Sequence, residues 1–366
     1  VNGRGDRGEA FRGDAFRGDA FRGEAFRGEA SRGEAVVLKV LVTGAGSLLA
    51  RRTAEALLRR GDEVVCLQRH AAPVDTEQVL GDIRDTDLVA SAAEGCDAII
   101  HAAAKVGVVG AWEEYRSINV DGTAAVIGAA RRNGVGRIVH VSTPSVAHAG
   151  DAIVGGRAEP PVMGRHGAWY PESKAIAEHL VLAAASPAVA IVAIRPHLVW
   201  GPEDTQLVGR IVQRAHAGRL ALVGDGSALI DTTYIDGAAS ALVAALDAVH
   251  PHARCNGRAY VIANGEPRPI RELILGICAA AGVDTAPREV PRWLALFAGS
   301  VVERMWKLRG AETEPPLTRF LAEQLGTAHW FDPRPARDDL GWQPTVSIDE
   351  GLALLSAWYA TSPFEG

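Results

Sequence analysis

The chain has 366 residues, of which 48% are hydrophobic, 40 are glycine and 19 are proline, and its formal net charge is −6. That length carries a large α/β core with a smaller companion domain, while the acidic balance and the lack of a Lys/Arg stripe argue against a nucleic-acid partner. Four scattered cysteines (Cys66, Cys96, Cys255, Cys278) with no CxxC pair predict buried thiols in a reducing compartment and no metal centre, and no apolar run reaches the ~18 residues of a membrane span.

In chain order, residues 4–35 repeat the pentad (F/S)RG(D/E)A. Period five fits neither helix nor strand, and one aromatic per unit is too little apolar area to fold on, so 1–35 is expected to be disordered. The RGD triplet is what such a repeat generates unselected. A solubilising tail or an upstream-extended reading frame is the simpler explanation.

Residues 36–60, VVLKVLVTGAGSLLARRTAEALLRR, open the folded sequence. The apolar run Val36–Val42 breaks at Thr43-Gly44 and gives way to a helical pattern: a buried strand, a tight glycine turn and a helix. In an α/β protein this unit sets the free N–H groups of a helix N-terminus at the end of the first strand, where a dinucleotide pyrophosphate can bind. Strands are then predicted at 62–70, 78–82, 96–104, 136–143 and 189–202, with helices at 84–95, 114–134 and 170–185 between them. Strict alternation of this kind predicts a doubly wound, Rossmann-type parallel sheet covered on both faces. Beyond 203 the pattern loosens into helices at 206–218, 231–249, 269–283, 320–326 and 349–360, with a last sheet strand at 259–265. We therefore expect a dinucleotide-binding domain over 36–202, with 231–265 returning to it, and a mainly helical substrate-binding part over 203–366.

Tyr170 and Lys174 are spaced i,i+4 and share one helix face. Ser142-Thr143 closes the fifth strand, at the edge where such sheets bind ligands. An ammonium beside a phenol favours phenolate, and a tyrosine so tuned exchanges a proton with a substrate oxygen while the Thr143 hydroxyl holds that oxygen. The plain alternative is a tyrosine and a lysine on a solvated helix, with a strand-end cap.

The motifs VTGAGSLLA, GDI (81–83), HAAA (101–104), NVDGT (119–123), VSTPSV (141–146), YPESK (170–174), RPHLVWGP (195–202), DTTYID (231–236) and LGWQP (340–344) resemble those of extended short-chain dehydrogenases/reductases. Over roughly 36–360 the chain is similar to their 3β-hydroxysteroid dehydrogenase-like branch, and most to bacterial 2-alkyl-3-oxoalkanoate reductases of olefin biosynthesis. The resemblance implies Tyr170 as general acid, Lys174 on the nicotinamide ribose, Thr143 as substrate-orienting hydroxyl with Ser142 as its understudy, and Asn119 in a structural and proton-relay position. It also implies cofactor contacts from the turn (Gly44, Gly46, Ser47, Leu48, Leu49), from Asp82 and Ile83 at the adenine, from Ala102, Ala103 and Ala104, and from Pro196, with His197 bordering the substrate. Where the family turn reads GxxGxxG, this chain has Gly44, Ser47 and Ala50. Ser47 adds a Cβ and a hydroxyl where backbone meets pyrophosphate, and Gly46 is the residue expected to relax the turn in compensation. The related pattern also carries asparagine where Gly237 stands.

The second strand ends in Gln68-Arg69 instead of a carboxylate, which favours NADP(H), with NAD(H) as the alternative if Arg69 stacks on adenine. No cage of several arginines suits a nucleotide sugar. Arg165, His166 and His197 are the nearest candidates to meet a substrate carboxylate. Residues 291–309 are apolar with Trp293, Phe297, Met305 and Trp306, suited to an acyl tunnel or a membrane interface. The expected enzyme is thus a cytoplasmic, NADP(H)-dependent reductase of a 2-alkyl-3-oxo fatty acid, with peripheral membrane contact through 291–309 as an option. Homodimerisation and assembly with pathway enzymes are implied by the resemblance alone. The rivals are a 3β-hydroxysteroid or sterol dehydrogenase and a cofactor-binding scaffold protein that has lost turnover.

Overall fold

Period-two alternation sets the two faces of the first strand. Val40 and Val42 pack into one core with Ile100, Val139, Val192, Ile194, Leu242 and Leu246. Leu41 points the other way, among Val65, Ile99, Ile138, Ile191, Val126 and Val181. Each fully buried Val, Leu or Ile in these cores contributes about 1.5–3 kcal/mol. The computed structural model describes residues 37–364 except 108, 149–150, 165–167, 310–321 and 324–325, and describes 303 and 306–309 by main chain alone. The pentad repeat thus lies outside the described residues.

Seven strands form the main sheet: β1 (Lys39–Thr43), β2 (Glu63–Gln68), β3 (Glu77–Leu80), β4 (Ala98–His101), β5 (Arg137–Val141), β6 (Ala190–Pro196) and β7 (Arg258–Ile262). All neighbours pair in parallel, in the order β7-β6-β5-β4-β1-β2-β3. The order reverses between β1 and β4, and that switch point is where a doubly wound sheet opens a crevice at its C-terminal edge.

The helices α1 (Leu48–Arg60), α2 (Thr86–Ala92), α3 (Gly122–Asn133), α4 (Trp169–Ala183) and α5 (Ile235–Ala248) cover the two faces, α1 against α5 on one and α2 against α3 on the other. α1 stops at Gly61, which takes the left-handed conformation at φ 96°. The helix expected at 114–134 is interrupted: a short helix at Trp112–Tyr115 passes through a π-helical turn, Arg116–Asp121, before α3 begins. Such turns cluster at functional sites, and this one carries Asn119.

After β6 the chain leaves the main sheet and re-enters it as β7, and segments on both sides of that strand build a third core around Trp200, Val212, Leu222, Tyr234, Ile274 and Leu355. This part is mostly helical, including α6 (Arg292–Arg309). It also holds a four-stranded sheet made of Arg268–Pro269, Leu229–Ile230, His329–Phe331 and Ile153–Gly156. Strands of two to four residues are too short for alternation to register, which is why sequence reading did not find them. Of the helix expected at 320–326, residues 320, 321, 324 and 325 lie outside the described set.

Candidate active site

The turn after β1 is closed on backbone. Gly44 has φ +80°, and a Cβ there would lie 2.7 Å from Ala103 Cα and 2.8 Å from Ala103 N, so only glycine fits. Its N–H donates to Leu67 O at 2.8 Å, and the first helical bond is Arg51 N–H to Ser47 O at 3.0 Å. The N–H groups of Leu48, Leu49 and Ala50 therefore precede any i→i−4 acceptor and remain for an anion. Ser47 Oγ folds back onto Gly44 O at 3.0 Å and makes no cap bond of its own. Ala50 is fully buried against the sheet. Gly46 has open space where a Cβ would go, so the turn does not require glycine there. A close-approach glycine, unpaired helix N–H groups and the half-buried backbone at Ala102, Ala103 and Ala104 fit a dinucleotide pyrophosphate. The Leu48 and Leu49 side chains pack toward the third core, leaving their main chain facing the crevice.

Thr143, just past β5, brings its side chain close enough to the Tyr170 hydroxyl to lower that phenol's pKa. Thr143 Oγ1 also contacts Ser145 Oγ at 3.0 Å. Ser142, one residue earlier, turns the other way: its Oγ is buried with no partner among the described residues. Lys174 is 3% exposed, and its Nζ donates to Val141 O at 2.6 Å and lies 3.3 Å from His140 Nε2. Burial brings the lysine down to about 8 against the opposing charge of Glu178. Burial also pushes the Tyr170 phenol up to about 12, more than the Thr143 side chain lowers it. That is the opposite of the lowering expected from an i,i+4 ammonium, because desolvation of the buried phenol dominates.

Asn119 is 1% exposed and joins three segments. Its Oδ1 accepts from Lys105 N at 2.7 Å, and its Nδ2 donates to Lys105 O at 3.0 Å and Ser173 Oγ at 2.9 Å. Ser173 Oγ donates in turn to Tyr170 O at 2.9 Å. The amide thus locks the crevice loop to the first turn of α4.

At the cofactor end of β2, Gln68 Nε2 donates to Gln78 Oε1 at 2.7 Å, and Gln68 Oε1 is buried with no partner among the described residues. Arg69 is exposed. Asp82 accepts from Arg84 Nε at 2.8 Å and Nη2 at 2.7 Å, and these bonds hold its carboxyl down at about 2, with Arg69 contributing. Ile83 is buried under α3, against Gly122.

A family model described as the 3-beta hydroxysteroid dehydrogenase/isomerase family matches residues 41–292. The chain belongs to that family. It is 46% identical over 326 residues to the 2-alkyl-3-oxoalkanoate reductase of Stenotrophomonas maltophilia, covering 87% of this chain and 99% of the relative. To the protein of the same name from Shewanella oneidensis it is 38% identical over 335 residues, 88% of this chain and 87% of the relative. The solved UDP-glucuronic acid 4-epimerase of Bacillus cereus, in complex with NAD, matches the fold with a TM-score of 0.68 at 21% identity, covering 89% of this chain and 99% of that one. This member of the 3-beta hydroxysteroid dehydrogenase/isomerase family is an oxidoreductase of the extended short-chain dehydrogenase/reductase type, and it shares its fold with that NAD-bound epimerase.

On the substrate side of this family member, Pro196 ends β6 half-buried and His197 follows it, 6% exposed. His197 Nδ1 lies 2.5 Å from Asp231 O, and its ring packs edge-on to Phe331 at 5.0 Å. Burial holds the imidazole down to about 3. Arg165 and His166 lie outside the described residues. Two further side chains, not singled out from the sequence, back the site. Arg195 on β6 and Glu178 on α4 form an ion pair with both members fully buried. A charged pair on an apolar strand and an apolar helix was visible in the residues; their partnership was not, because they are distant in sequence. Where the related pattern has asparagine, Gly237 lies inside α5 and leaves a Cβ room against Trp342 at 3.9 Å. Among the described residues no helix is long and apolar enough to cross a membrane.

Proposed function

We propose that this family member reduces the ketone of a 2-alkyl-3-oxo fatty acid to the 3-hydroxy acid, with NADP(H) as the preferred dinucleotide. The observation that carries this reading is the Thr143–Tyr170 hydroxyl pair at the C-terminal edge of the sheet, with Lys174 buried one helical turn further along α4. The turn after β1 and the backbone at Ala102, Ala103 and Ala104 would hold a nicotinamide dinucleotide in the switch-point crevice, which in its reduced form would supply a hydride. Tyr170 gives its phenolic proton to the carbonyl oxygen, and Thr143 donates a hydrogen bond to the same oxygen as charge develops on it. Lys174, one turn along α4, would offer its ammonium to the ribose hydroxyls of a bound dinucleotide and stabilise the phenolate left when Tyr170 gives up its proton. Asn119 and Ser173 hold the first turn of α4 so that the phenol keeps its aim. The substrate class follows the names of the two relatives that match along nearly their whole length.

The phenol, held at about 12, carries its proton at neutral pH. The keto-acid reading is preferred to a sterol dehydrogenase using the same residues on the names of the two relatives matched along most of their length. The folded-back Ser47 hydroxyl keeps that side chain inside the turn, which speaks against a scaffold protein unable to hold cofactor. NADP(H) is supported by Gln68 and Arg69 in place of a β2-end carboxylate. α6 carries Trp293, Phe297, Val301 and Met305 four residues apart, 41–70% exposed; this stripe supports an apolar partner, either a long acyl chain or a membrane surface. The test is a hydride-transfer assay on wild type and Tyr170→Phe, offered a 2-alkyl-3-oxo acid with NADPH and a 3β-hydroxysterol with NAD⁺. Turnover of the keto acid that disappears in Tyr170→Phe is the expected result. Turnover of the sterol alone, or dinucleotide binding without turnover of either, overturns it.

A further inference from the structure

A row of buried polar side chains crosses the sheet beneath α3 and α4. Strand register sets Thr43 of β1 beside His101 of β4, and His101 beside His140 of β5. Residues paired in this way leave the sheet on the same face, and all three are buried. The two imidazoles lie 5.3 Å apart, ring to ring, but they are bonded differently.

His101 is satisfied at both nitrogens. Thr123 Oγ1 donates to Asn119 O at 2.6 Å, so it accepts from His101 Nε2 at 3.1 Å. Burial keeps the ring neutral, which leaves Nδ1 to accept from Thr43 Oγ1 at 2.8 Å. His101 is therefore the Nε2–H tautomer, and it ties β1, β4 and α3 together. His140 is not tied in this way. Its Nδ1 is buried with no partner among the described residues, and its Nε2 meets Lys174 Nζ at 3.3 Å. A half-satisfied ring inside an apolar sheet costs stability, so its place calls for another explanation.

That explanation lies in what Lys174 faces. From β5 it meets Val141 O at 2.6 Å and the His140 ring, with His101 of β4 beyond that ring. Its own helix brings Tyr170 and Glu178, and the Glu178 carboxylate is bonded to Arg195 of β6. Burial holds both histidines and the phenol uncharged at neutral pH. We propose that His140 is a positioning residue for Lys174: protonated at Nδ1, it presents Nε2 as a neutral acceptor to one N–H of the ammonium. Val141 O takes a second N–H, and the third is left to a bound dinucleotide. Hydrogen bonds to the charged form favour it, so two acceptors from consecutive residues of β5 hold the amine charged at the sheet edge against its own desolvation. The inference rests on the reading of Tyr170 and Lys174 as the reductase pair, but its test does not depend on turnover.

The chain has four lysines, Lys39, Lys105, Lys174 and Lys307, so protein grown on ε-carbon-13 lysine gives four signals, and the one lost in Lys174→Arg is Lys174. Its midpoint is read by NMR titration of the cofactor-free protein in wild type, in His140→Phe and in His140→Gln. His140→Phe keeps a ring and removes the acceptor, and is expected to lower the midpoint by about one pH unit. His140→Gln can turn its carbonyl oxygen to the ammonium and should restore most of that loss. An unmoved midpoint in His140→Phe, or an equal drop in both variants, overturns the proposal. A merely structural histidine predicts lower melting temperatures in both variants with the lysine titration unchanged. If His140→Phe does not fold, nitrogen-15 spectra of the wild-type histidine rings, correlated to the assigned backbone, decide. Nδ1–H at His140 beside Nε2–H at His101 is the expected result, and Nε2–H at His140 overturns it. Failure of the reductase reading shows elsewhere, as turnover that survives Tyr170→Phe.

Discussion

The Thr143 side chain faces the Tyr170 hydroxyl across the gap between the end of β5 and the first turn of α4, near enough to lower the phenol's pKa. On the proposed reading, two elements that share no sequence neighbourhood supply one proton donor and one oxygen-orienting group to the same point. Removing the phenolic oxygen in Tyr170→Phe is expected to lower kcat by about 10²–10⁴-fold, with an unchanged circular dichroism spectrum. Thr143→Val, nearly isosteric but without the donor, should lose about 10²-fold, whereas Thr143→Ser stays near wild type. Steady-state kinetics of the three variants, with the melting temperature as fold control, measures both effects.

Lys174 gives the protein a pH signature of its own. Its folded pKa, about 8, lies below the ordinary 10.5, so the unfolded chain takes up the proton first as pH falls. The stability linked to this group is present above 10.5 and lost as pH drops through about 8, a span worth roughly 3 kcal/mol. Urea unfolding between pH 7.5 and 10.5 should therefore show wild type gaining stability relative to Lys174→Met as pH rises. Parallel curves for the two proteins would show that the lysine is not desolvated in solution.

The two glycines of the turn are not equivalent. Gly44→Ala forces a side chain into the left-handed region and onto the Ala103 main chain at 2.7 Å, and is expected to destabilise by about 1–2 kcal/mol from the backbone alone. It should also abolish dinucleotide binding. Gly46→Ala meets nothing within 4 Å and should bind cofactor within about threefold of wild type. Fluorescence titration with NADPH, run beside thermal melts, separates them. Equal behaviour of the two variants would contradict the turn geometry.

Arg69 decides the cofactor if the β2 end reads the ribose. It is exposed and close enough to Asp82 to help lower that carboxyl. Arg69→Ala should weaken NADPH binding about tenfold and leave NADH binding unchanged, as expected when a single charge-assisted contact is lost. Equal losses for both dinucleotides would instead assign the guanidinium to the adenine face.

Much of this molecule could be read along the chain. The period-two apolar runs, the Thr43-Gly44 break and the alternation of strands with helices prescribe a parallel sheet, because a strand buried on both faces has few other places to go. The i,i+4 spacing of Tyr170 and Lys174 and the hydroxyls at 142–143 are local facts as well, and the proposed chemistry is built on them. What was not legible depends on contacts between distant segments. Which of Ser142 and Thr143 turns to the phenol, that Lys174 points at Val141 and His140, and that Asn119 clasps Lys105 and Ser173 all depend on how β5, α4 and the π-turn pack. Sequence carries no sign of the Glu178–Arg195 pair or of the short-stranded sheet around His329, because both are made by residues far apart that come together only on folding. The direction of a pKa belongs to the same class: residue types set its starting value, and burial, a property of the folded interior alone, sets which way it moves.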